Sequence, residues 1–231
     1  TFGEKGNAVV QLNQKIFKAG YAHVREQFKG VFPWSIKPKP QAPRMVIDGN
    51  SAIALGFLQG GLTFYSAYPM APASSILITL AELAPKYNIV AKHAEDEIAA
   101  VNNAIGASLA GARVAGGTSG GGFSLMVEGL GLAAITETPL VIVDAQRPGP
   151  ATGLPTWTEQ GDLRFVMHAS QGYFPRIVVA PGDPTQAFQE SARALQLAEQ
   201  FHLPVIILTD KYTTNIPNRR ELPNTFKKAL Q

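Results

Sequence analysis

The sequence contains no cysteine among its 231 residues. This absence excludes disulfides, thiolate nucleophiles, cysteine zinc sites and iron–sulfur clusters held by cysteine. No run of about 18 apolar residues occurs without charges or turn formers, so no membrane span is expected, and no secretory signal is visible. The expected location is therefore the cytoplasm.

The net charge of +3 hides an uneven distribution of charged residues. Residues 1–44 hold eight Lys/Arg and two Asp/Glu, residues 45–210 hold seven and fourteen, and residues 211–231 hold five and one, which gives +6, −7 and +4. The basic residues are scattered and lack the aromatic pattern of a nucleic-acid site. Solvated tails, or basic surfaces that dock on a partner protein, are expected instead, with no nucleic-acid ligand.

Apolar spacing divides the chain into four expected regions. Residues 1–32 contain an amphipathic helix over 11–28 whose apolar stripe has no local partner, so either the end of a preceding domain or an arm that packs on a neighbouring protein is expected here. Residues 33–44 form a Pro-rich linker. Residues 45–212 form an α/β domain, and residues 213–231 form a polar tail. Because the chain starts with Thr1 rather than Met, a processed chain or a fragment is expected.

The central domain alternates strands and helices. Strands are predicted near 45–47, 63–67, 88–93, 112–117, 139–144, 176–180 and 204–209. Helices are predicted near 50–60, 74–86, 96–110, 122–136, 161–169 and 184–201. Continuous apolar strands are typical of a parallel sheet covered on both faces. Right-handed crossovers then predict a doubly wound, mostly parallel sheet with helices on both faces.

Three acids, Glu95, Asp96 and Glu97, stand where a strand gives way to a helix. Acids at a helix start cap free amides and favour the helix dipole, which would explain them without a functional role. Glu97, however, is followed by small and apolar residues. A partly desolvated carboxyl of this kind is suited to proton transfer.

The glycine-rich loop 116–122 follows a strand and opens a helix, where amides could face an anion; a plain tight turn would also explain it. Its segment Gly-Thr-Ser-Gly-Gly satisfies G-x-S-x-G. Ser119 is therefore a remote candidate for a serine hydrolase nucleophile, with Asp144 and either His168 or His202 downstream.

Arg147 follows the strand that ends at Asp144, in a loop that also carries Thr152. An arginine at a strand end can bind a carboxylate or phosphate through two hydrogen bonds, although a surface ion pair would also explain it. The four histidines lack the helical spacing of metal ligands, so no metal site is expected.

Four segments in this order carry a family resemblance: AEDEIAAVNNAIGAS, TSGGGFSLM, ETPLVIVDAQRPGPATGLPT and TEQGDL. Over roughly Met45 to Asp210 the chain resembles the pyrimidine-binding domain of 2-oxoacid:ferredoxin oxidoreductase alpha subunits. The helix over 11–28 resembles the end of the gamma domain that some members fuse ahead of alpha.

The resemblance implies thiamine diphosphate as the cofactor. Glu97 would hydrogen-bond N1′ of the aminopyrimidine and act as the catalytic residue, in a setting where solvent does not compete. Further cofactor contacts are implied for Pro69, through its carbonyl, and for Ser119 and Gly120. The usual TSGPGF reads TSGGGF here, which is a conservative change.

Substrate contacts are implied for Arg147, which would hold the oxoacid carboxylate, and for Thr152 and Ala71. Ala71 is a departure, because the family segment Tyr-Pro-Ile-Thr-Pro reads Tyr-Pro-Met-Ala-Pro here. Losing a hydrogen bond to a charged substrate costs roughly 1.5–3 kcal/mol. The change indicates a different oxoacid, another donor, or an alternative function as a noncatalytic assembly module.

The chain has no GDG…N motif for Mg²⁺ and diphosphate and no cluster ligands. The resemblance therefore implies a beta subunit that supplies the diphosphate domain, Mg²⁺ and iron–sulfur clusters, in a heterodimer or heterotetramer. The implied reaction converts a 2-oxoacid and coenzyme A to acyl-CoA and carbon dioxide and passes electrons to ferredoxin. The gamma–alpha arrangement favours 2-oxoglutarate or a similar oxoacid.

Overall fold

The computed structural model describes residues 6–31, 34–35, 37, 45–215 and 218–220. The chain divides into two compact units, Thr1–Pro43 and Arg44–Gln231. Most of the Pro-rich linker predicted over 33–44 lies outside the described residues.

The described part of the first unit contains helix α1 (Asn7–Gln27), where the apolar spacing predicts a helix over 11–28. None of its residues is buried. Its large apolar side chains, Leu12, Ile16, Phe17, Tyr21 and Val24, are all exposed. Within the described part of this unit, the amphipathic stripe of α1 has no hydrophobic partner.

The second unit alternates strands and helices, as predicted. The strands are β1 (Met45–Ile47), β2 (Phe64–Ala67), β3 (Val90–His93), β4 (Val114–Thr118), β5 (Leu140–Gln146), β6 (Ile177–Val179), β7 (Pro204–Asp210) and β8 (Asn218–Arg220). The helices are α2 (Gly49–Gln59), α3 (Ser74–Tyr87), α4 (Glu97–Leu109), α5 (Gly120–Ile135), α6 (Leu163–His168), α7 (Pro184–Phe201) and α8 (Lys211–Asn215). Helix α5 begins two residues earlier than predicted, inside the glycine loop.

Six strands form one sheet in the order β3-β2-β4-β5-β7-β6, and every pair in it is parallel. Side chains alternate between the two faces along each strand. In β5, Val141 and Val143 pack with residues of α2, α3 and α7, whereas Leu140 and Ile142 pack with residues of α4, α5 and α6. The sheet is therefore doubly wound with a core on each face, which confirms the predicted fold class.

The strand order places a ligand-binding edge. The chain moves from β2 outward to β3 and then back across β2 to β4, so the winding direction reverses between β2 and β4. Open α/β sheets bind ligands in the crevice outside the carboxyl ends of strands at such a switch point. The segments that follow β2, β3, β4 and β5 all begin at this edge because these strands are parallel.

Ordered structure continues past residue 212, where the polar tail is predicted to begin. Thr213 and Thr214 of α8 are buried. A side chain at Gly49 would lie 2.4 Å from the Thr213 carbonyl oxygen, so α2 starts directly against α8. Strand β8 pairs antiparallel with β1. The expected boundary thus falls inside a packed helix, and residues 221–231 lie outside the described residues.

In the part of the chain that the structure describes, no helix combines the length and apolar character that a membrane crossing would need.

Candidate functional site

Helix α5 begins at the switch point and presents a glycine-rich first turn. Strand β4 ends at Thr118, and Ser119 adopts an extended backbone that turns the chain into Gly120, Gly121 and Gly122. No side chain caps this helix start. Ser119 is fully buried, and its hydroxyl donates to the Met70 carbonyl at 3.4 Å.

Glu97 is the first residue of α4 and is 3% exposed. Asp96 is the N-cap, because its carboxylate accepts the Ala99 amide at 2.7 Å. The helix start is thus capped without Glu97, whose Oε1 is buried with no hydrogen-bond partner. The capping explanation therefore applies to Asp96 and leaves the Glu97 carboxyl free for another role.

Gly122 separates Glu97 from Thr118. A Cβ at Gly122 would lie 2.0 Å from Thr118 Oγ1 and 2.6 Å from Glu97 Oε1. Only glycine fits between these side chains, so α5 approaches the Glu97 carboxyl as closely as its backbone allows. Glycine in this loop is therefore required for close packing against the Glu97 carboxyl, in addition to forming a turn.

The turn after β2, residues 68–72, is held by side chains from three other segments. Three successive carbonyls accept hydrogen bonds: Met70 from Ser119 Oγ at 3.4 Å, Ala71 from Arg147 Nη1 at 2.7 Å, and Pro72 from Asn50 Nδ2 at 2.7 Å. All three donor residues are buried, whereas Tyr68, Pro69 and Ala71 are exposed. The backbone of the turn is thus fixed while its outer surface remains available.

A cavity of about 570 Å³ opens beside this turn. Its lining includes the start of α5, the loop 147–152, and apolar side chains. The lining residues are Met70, Gly120, Gly121, Ser124, Leu125, Arg147, Pro148, Gly149, Pro150, Ala151, Thr152, Asp162 and Phe165. Arg147 is 7% exposed and its Nε has no hydrogen-bond partner. Among the described residues it is the only cation of this lining, and its Nε is a donor without a partner.

Two further carboxyls, the buried Asp144 and the half-buried Asp162, lie near the glycine loop. Asp144 lies opposite Thr118 in the parallel register of β4 and β5, so both side chains project from the same face. Burial raises the pKa of Asp144 well above its ordinary value, and the nearby Asp162 charge raises it further. Burial also raises the pKa of Asp162, with Glu159 adding to the effect. Both oxygens of Asp144 lack hydrogen-bond partners.

The predicted site residues fall at one edge of the sheet. Pro69 and Ala71 lie on the exposed side of the turn, Gly120, Arg147 and Thr152 line the cavity, and Ser119 and Glu97 are buried beside it. Glu97 is not part of the cavity lining. The described residues contain no group of three or more His, Asp or Glu arranged to hold a metal ion.

The geometry does not assemble a hydrolase triad. The hydroxyl of Ser119 donates to Met70. His168 Nδ1 is 2.9 Å from the Arg164 carbonyl, and His202 Nδ1 is 3.3 Å from the Glu137 carbonyl. His202 also precedes β7, at the amino edge of the sheet and opposite Ser119.

A family model described as "Pyruvate flavodoxin/ferredoxin oxidoreductase, thiamine diP-bdg" matches residues 55–229. The chain belongs to this family. The model denotes thiamine-diphosphate-binding domains, which confirms the resemblance seen in the sequence.

Relatives within this oxidoreductase family extend the match. The chain is 44% identical over 218 residues to the alpha subunit of 2-oxoacid:ferredoxin oxidoreductase 1 from Sulfurisphaera tokodaii, covering 89% of this chain and 34% of that one. It is 37% identical over 236 residues to the 2-oxoglutarate oxidoreductase subunit KorA from Mycobacterium tuberculosis, covering 95% and 36%. The chain thus spans about a third of the length of these curated relatives.

A solved structure of the same family shares the fold. The 2-oxoglutarate:ferredoxin oxidoreductase from Magnetococcus marinus, with 2-oxoglutarate, coenzyme A and succinyl-CoA bound, matches with a TM-score of 0.86 at 38% identity. The match covers 98% of this chain and 40% of that one.

Several residues of the site escape sequence reasoning. Asn50 follows the N-cap Asp48 in the first turn of α2, where an asparagine attracts no notice. Met70 and Phe165 reach the cavity from segments about 95 residues apart in the chain. No local pattern could find these residues, because their role depends on contacts between distant segments.

Proposed function

We propose that this chain supplies the pyrimidine-binding half of a thiamine diphosphate site in a 2-oxoacid:ferredoxin oxidoreductase. The observation that carries the proposal is the Glu97 carboxyl, which is buried, is not used as a cap and has an unpartnered Oε1. The family and its relatives supply the chemical context.

The residues present fit the aminopyrimidine. A buried carboxylate oxygen without a partner is costly unless a ligand supplies one. Glu97 would hold a proton shared with a ring nitrogen of the cofactor, and the close approach of Gly122 keeps water away from that oxygen. The Pro69 carbonyl, on the exposed side of the clamped turn, would accept from the exocyclic amine. Ser119 and Gly120 would border the ring from the α5 side.

When bound, thiamine diphosphate supplies the nucleophilic carbon and the electron sink that decarboxylation of a 2-oxoacid requires. The protein residues bind and orient the reactants. Arg147 would hold the oxoacid carboxylate, since one of its nitrogens is fixed by the Ala71 carbonyl while its Nε remains free. Thr152, in the same cavity wall, would contribute a hydroxyl.

The overall reaction in this proposal consumes a 2-oxoacid and coenzyme A and yields acyl-CoA and carbon dioxide, with the released electrons passing to ferredoxin. A 2-oxoglutarate-like substrate is favoured, because relatives from Mycobacterium tuberculosis and Archaeoglobus fulgidus are named as 2-oxoglutarate enzymes. A beta-type partner subunit would supply the diphosphate-binding domain, Mg²⁺ and iron–sulfur clusters, and the complex would act in the cytoplasm.

The test is 2-oxoacid- and coenzyme A-dependent viologen reduction by the chain reconstituted with its beta-type partner. The Glu97→Gln variant should lose turnover by roughly 10²- to 10⁴-fold, the range for a positioned proton-transfer group. Calorimetric binding of thiamine diphosphate to the same complex provides a readout that is independent of turnover.

Glu95→Gln is the matched control, because Glu95 lies two residues earlier, is exposed, and undergoes the same change of charge. It should retain wild-type turnover. Equal turnover in the wild type and the Glu97 variant would contradict the proposal. Bound cofactor without turnover on any oxoacid, in a well-formed complex, would instead favour the noncatalytic assembly module that Ala71 suggests.

A further inference from the structure

Asn50 is completely buried at the start of α2, and both protons of its side-chain amide are used. Nδ2 donates to the Pro72 carbonyl at 2.7 Å and to Ser75 Oγ at 2.7 Å. Its Oδ1 is buried without a partner. The residue thus bears the cost of an unsatisfied acceptor while it fixes one backbone carbonyl of another segment.

The Pro72 carbonyl is the last of the three successive carbonyls that hold the turn 68–72. The neighbouring Ala71 carbonyl orients Arg147, which leaves its Nε unpartnered. The ring of Pro72 locks its φ, so fixing the Pro72 carbonyl also restricts how the preceding Ala71 carbonyl can turn. Asn50 therefore acts on the Ala71 carbonyl, and through it on Arg147, without reaching the cavity itself.

We propose that Asn50 is a positioning residue that holds the turn 68–72 in its ligand-binding geometry through the Pro72 carbonyl. The inference rests on the proposed function, in which the outer side of this turn meets the cofactor and Arg147 meets the oxoacid. Asn50 touches neither ligand. Its contribution is to present the Pro69 carbonyl and the Arg147 guanidinium in fixed positions before ligands arrive.

A purely structural role makes a different prediction. Asn50 would then affect the stability of the domain but not the geometry of the turn, and ligand binding would follow stability alone. The turn has a local reporter, because the Ala73 amide donates to the Met70 carbonyl at 2.9 Å across it. The Ala100 amide, which donates to the Asp96 carbonyl at 2.9 Å, reports the neighbouring start of α4.

The first experiment measures amide hydrogen exchange in the chain without ligand. In Asn50→Ala the Ala73 amide should exchange at least about tenfold faster than in the wild type, since local opening of the turn becomes easier. The Ala100 amide should keep its wild-type rate. Asn50→Leu keeps roughly the size of the side chain and carries no donor, so it should behave like Asn50→Ala if donation is what matters.

The second experiment uses the complex with the beta-type partner. Both Asn50 variants should weaken thiamine diphosphate binding by roughly tenfold in calorimetry. This is the lower end of the loss of affinity seen when residues that support metal ligands are replaced. KM for the oxoacid should rise by a similar factor. At saturating cofactor and oxoacid, kcat should fall less than KM rises, because the bound ligands restore the geometry of the turn.

Asn102→Ala is the matched control. Asn102 lies on α4, is exposed, and donates through Nδ2 to the Ile98 carbonyl within its own helix. Its replacement should change neither the Ala73 exchange rate nor cofactor affinity.

The proposal is overturned if the Asn50 variants lower the melting temperature but leave Ala73 exchange and cofactor affinity as in Asn102→Ala. Should Asn50→Ala fail to fold, Asn50→Leu decides alone. Failure of the proposed function would give a different result. The wild-type complex would then bind no thiamine diphosphate, while the exchange rate of the Ala73 amide would still report whether Asn50 holds the turn 68–72.

Discussion

At the scale of single residues, the two buried carboxyls of the ligand edge differ in their surroundings. Glu97 lies at a helix start next to the glycine loop, whereas Asp144 lies inside β5 with neither oxygen hydrogen-bonded. An ionised carboxylate without partners is very costly in such a place. The raised pKa of Asp144 means that its carboxyl keeps a proton where an exposed aspartate would not.

Asp144→Asn should make the protein relatively more stable as the pH rises. The folded-state pKa of Asp144 is raised by burial and by Asp162, so its unfolded form ionises first. Its contribution to stability is fully present below the unfolded pKa of about 3.9 and is lost as pH rises through the folded pKa. Urea unfolding at several pH values from about 4.5 to about 8, all above that reference value, measures the trend.

The isosteric amide does not titrate. The free energy of unfolding of Asp144→Asn should therefore increase relative to that of the wild type as the pH rises toward about 8. The exposed Glu128→Gln on α5 serves as a control, since Glu128 keeps its contact with water in the folded state. Parallel curves for the wild type and Asp144→Asn would contradict a neutral buried Asp144.

Ala71→Thr tests what the missing hydroxyl means. Ala71 is exposed and engages Arg147 only through its carbonyl, so the added atoms meet solvent and ligand. If the oxoacid site lacks this donor, the hydroxyl should raise kcat/KM by about tenfold, corresponding to roughly 1.4 kcal/mol for a hydrogen bond to a charged group. Viologen reduction by the complex with a panel of oxoacids is the measurement.

An unchanged kcat/KM on every oxoacid would mean that another group supplies the hydrogen bond. The cavity offers Thr152 and Ser124 for that role. Thr152→Val should then lower kcat/KM, because valine removes the hydroxyl of threonine with little change of shape.

At the scale of helices and strands, most of the architecture follows from local pattern. The continuous apolar runs in the sequence predict β5 and β7, which are both interior strands of the sheet and buried along their whole length. The start of α5 is less well predicted, because glycine has a low helix propensity. The need for glycine at this helix start becomes clear only from the close contact of Gly122 with Glu97 and Thr118. Strand β8 was not predicted, since it depends on pairing with β1 across the whole domain.

Gly122→Ala should damage the site through α5. Its methyl group would clash with Thr118 Oγ1 and with Oε1 of Glu97, so α5 or the Glu97 carboxyl must move. Overpacking of this kind costs roughly 1–3 kcal/mol. Urea unfolding should show the loss of stability, and thiamine diphosphate affinity of the complex should fall by at least about tenfold.

Gly106→Ala provides the contrast on the neighbouring helix. A Cβ at Gly106 meets nothing within 4 Å. Alanine in a helix interior is favoured over glycine by roughly 0.5–1 kcal/mol, so this variant should be as stable as the wild type or more so. If both glycine variants behave alike, the close approach of α5 to Glu97 is not a requirement of the site.

At the scale of the whole molecule, the described surface carries exposed apolar side chains near the cavity and along α5. Along α5, Leu125 is 50% exposed and Ile135 is 83% exposed, and Tyr173 is exposed on the loop after α6. Isolated exposed apolar residues are common, but several along one helix beside a cavity suit a protein interface. The edge of the sheet at the switch point presents the Glu97 carboxyl, the backbone carbonyls of the turn 68–72 and Arg147. No group of described residues is arranged to hold a metal ion.

The chain alone should therefore bind thiamine diphosphate only weakly. The aminopyrimidine would make its contacts with Glu97 and the turn, whereas the diphosphate would remain in water. A dissociation constant of about 1 mM or weaker, corresponding to roughly 4 kcal/mol, is expected for such half-contacts. Calorimetry on the isolated chain should show this weak binding, and addition of the beta-type partner should tighten it by at least about a hundredfold, because the partner encloses the cofactor.

Glu97→Gln should weaken the tight binding in the complex more than Glu95→Gln does. Tight binding by the isolated chain would mean that its own residues hold the diphosphate, and the search for those groups would begin at the amides of Gly120 and Gly121, which border the cavity.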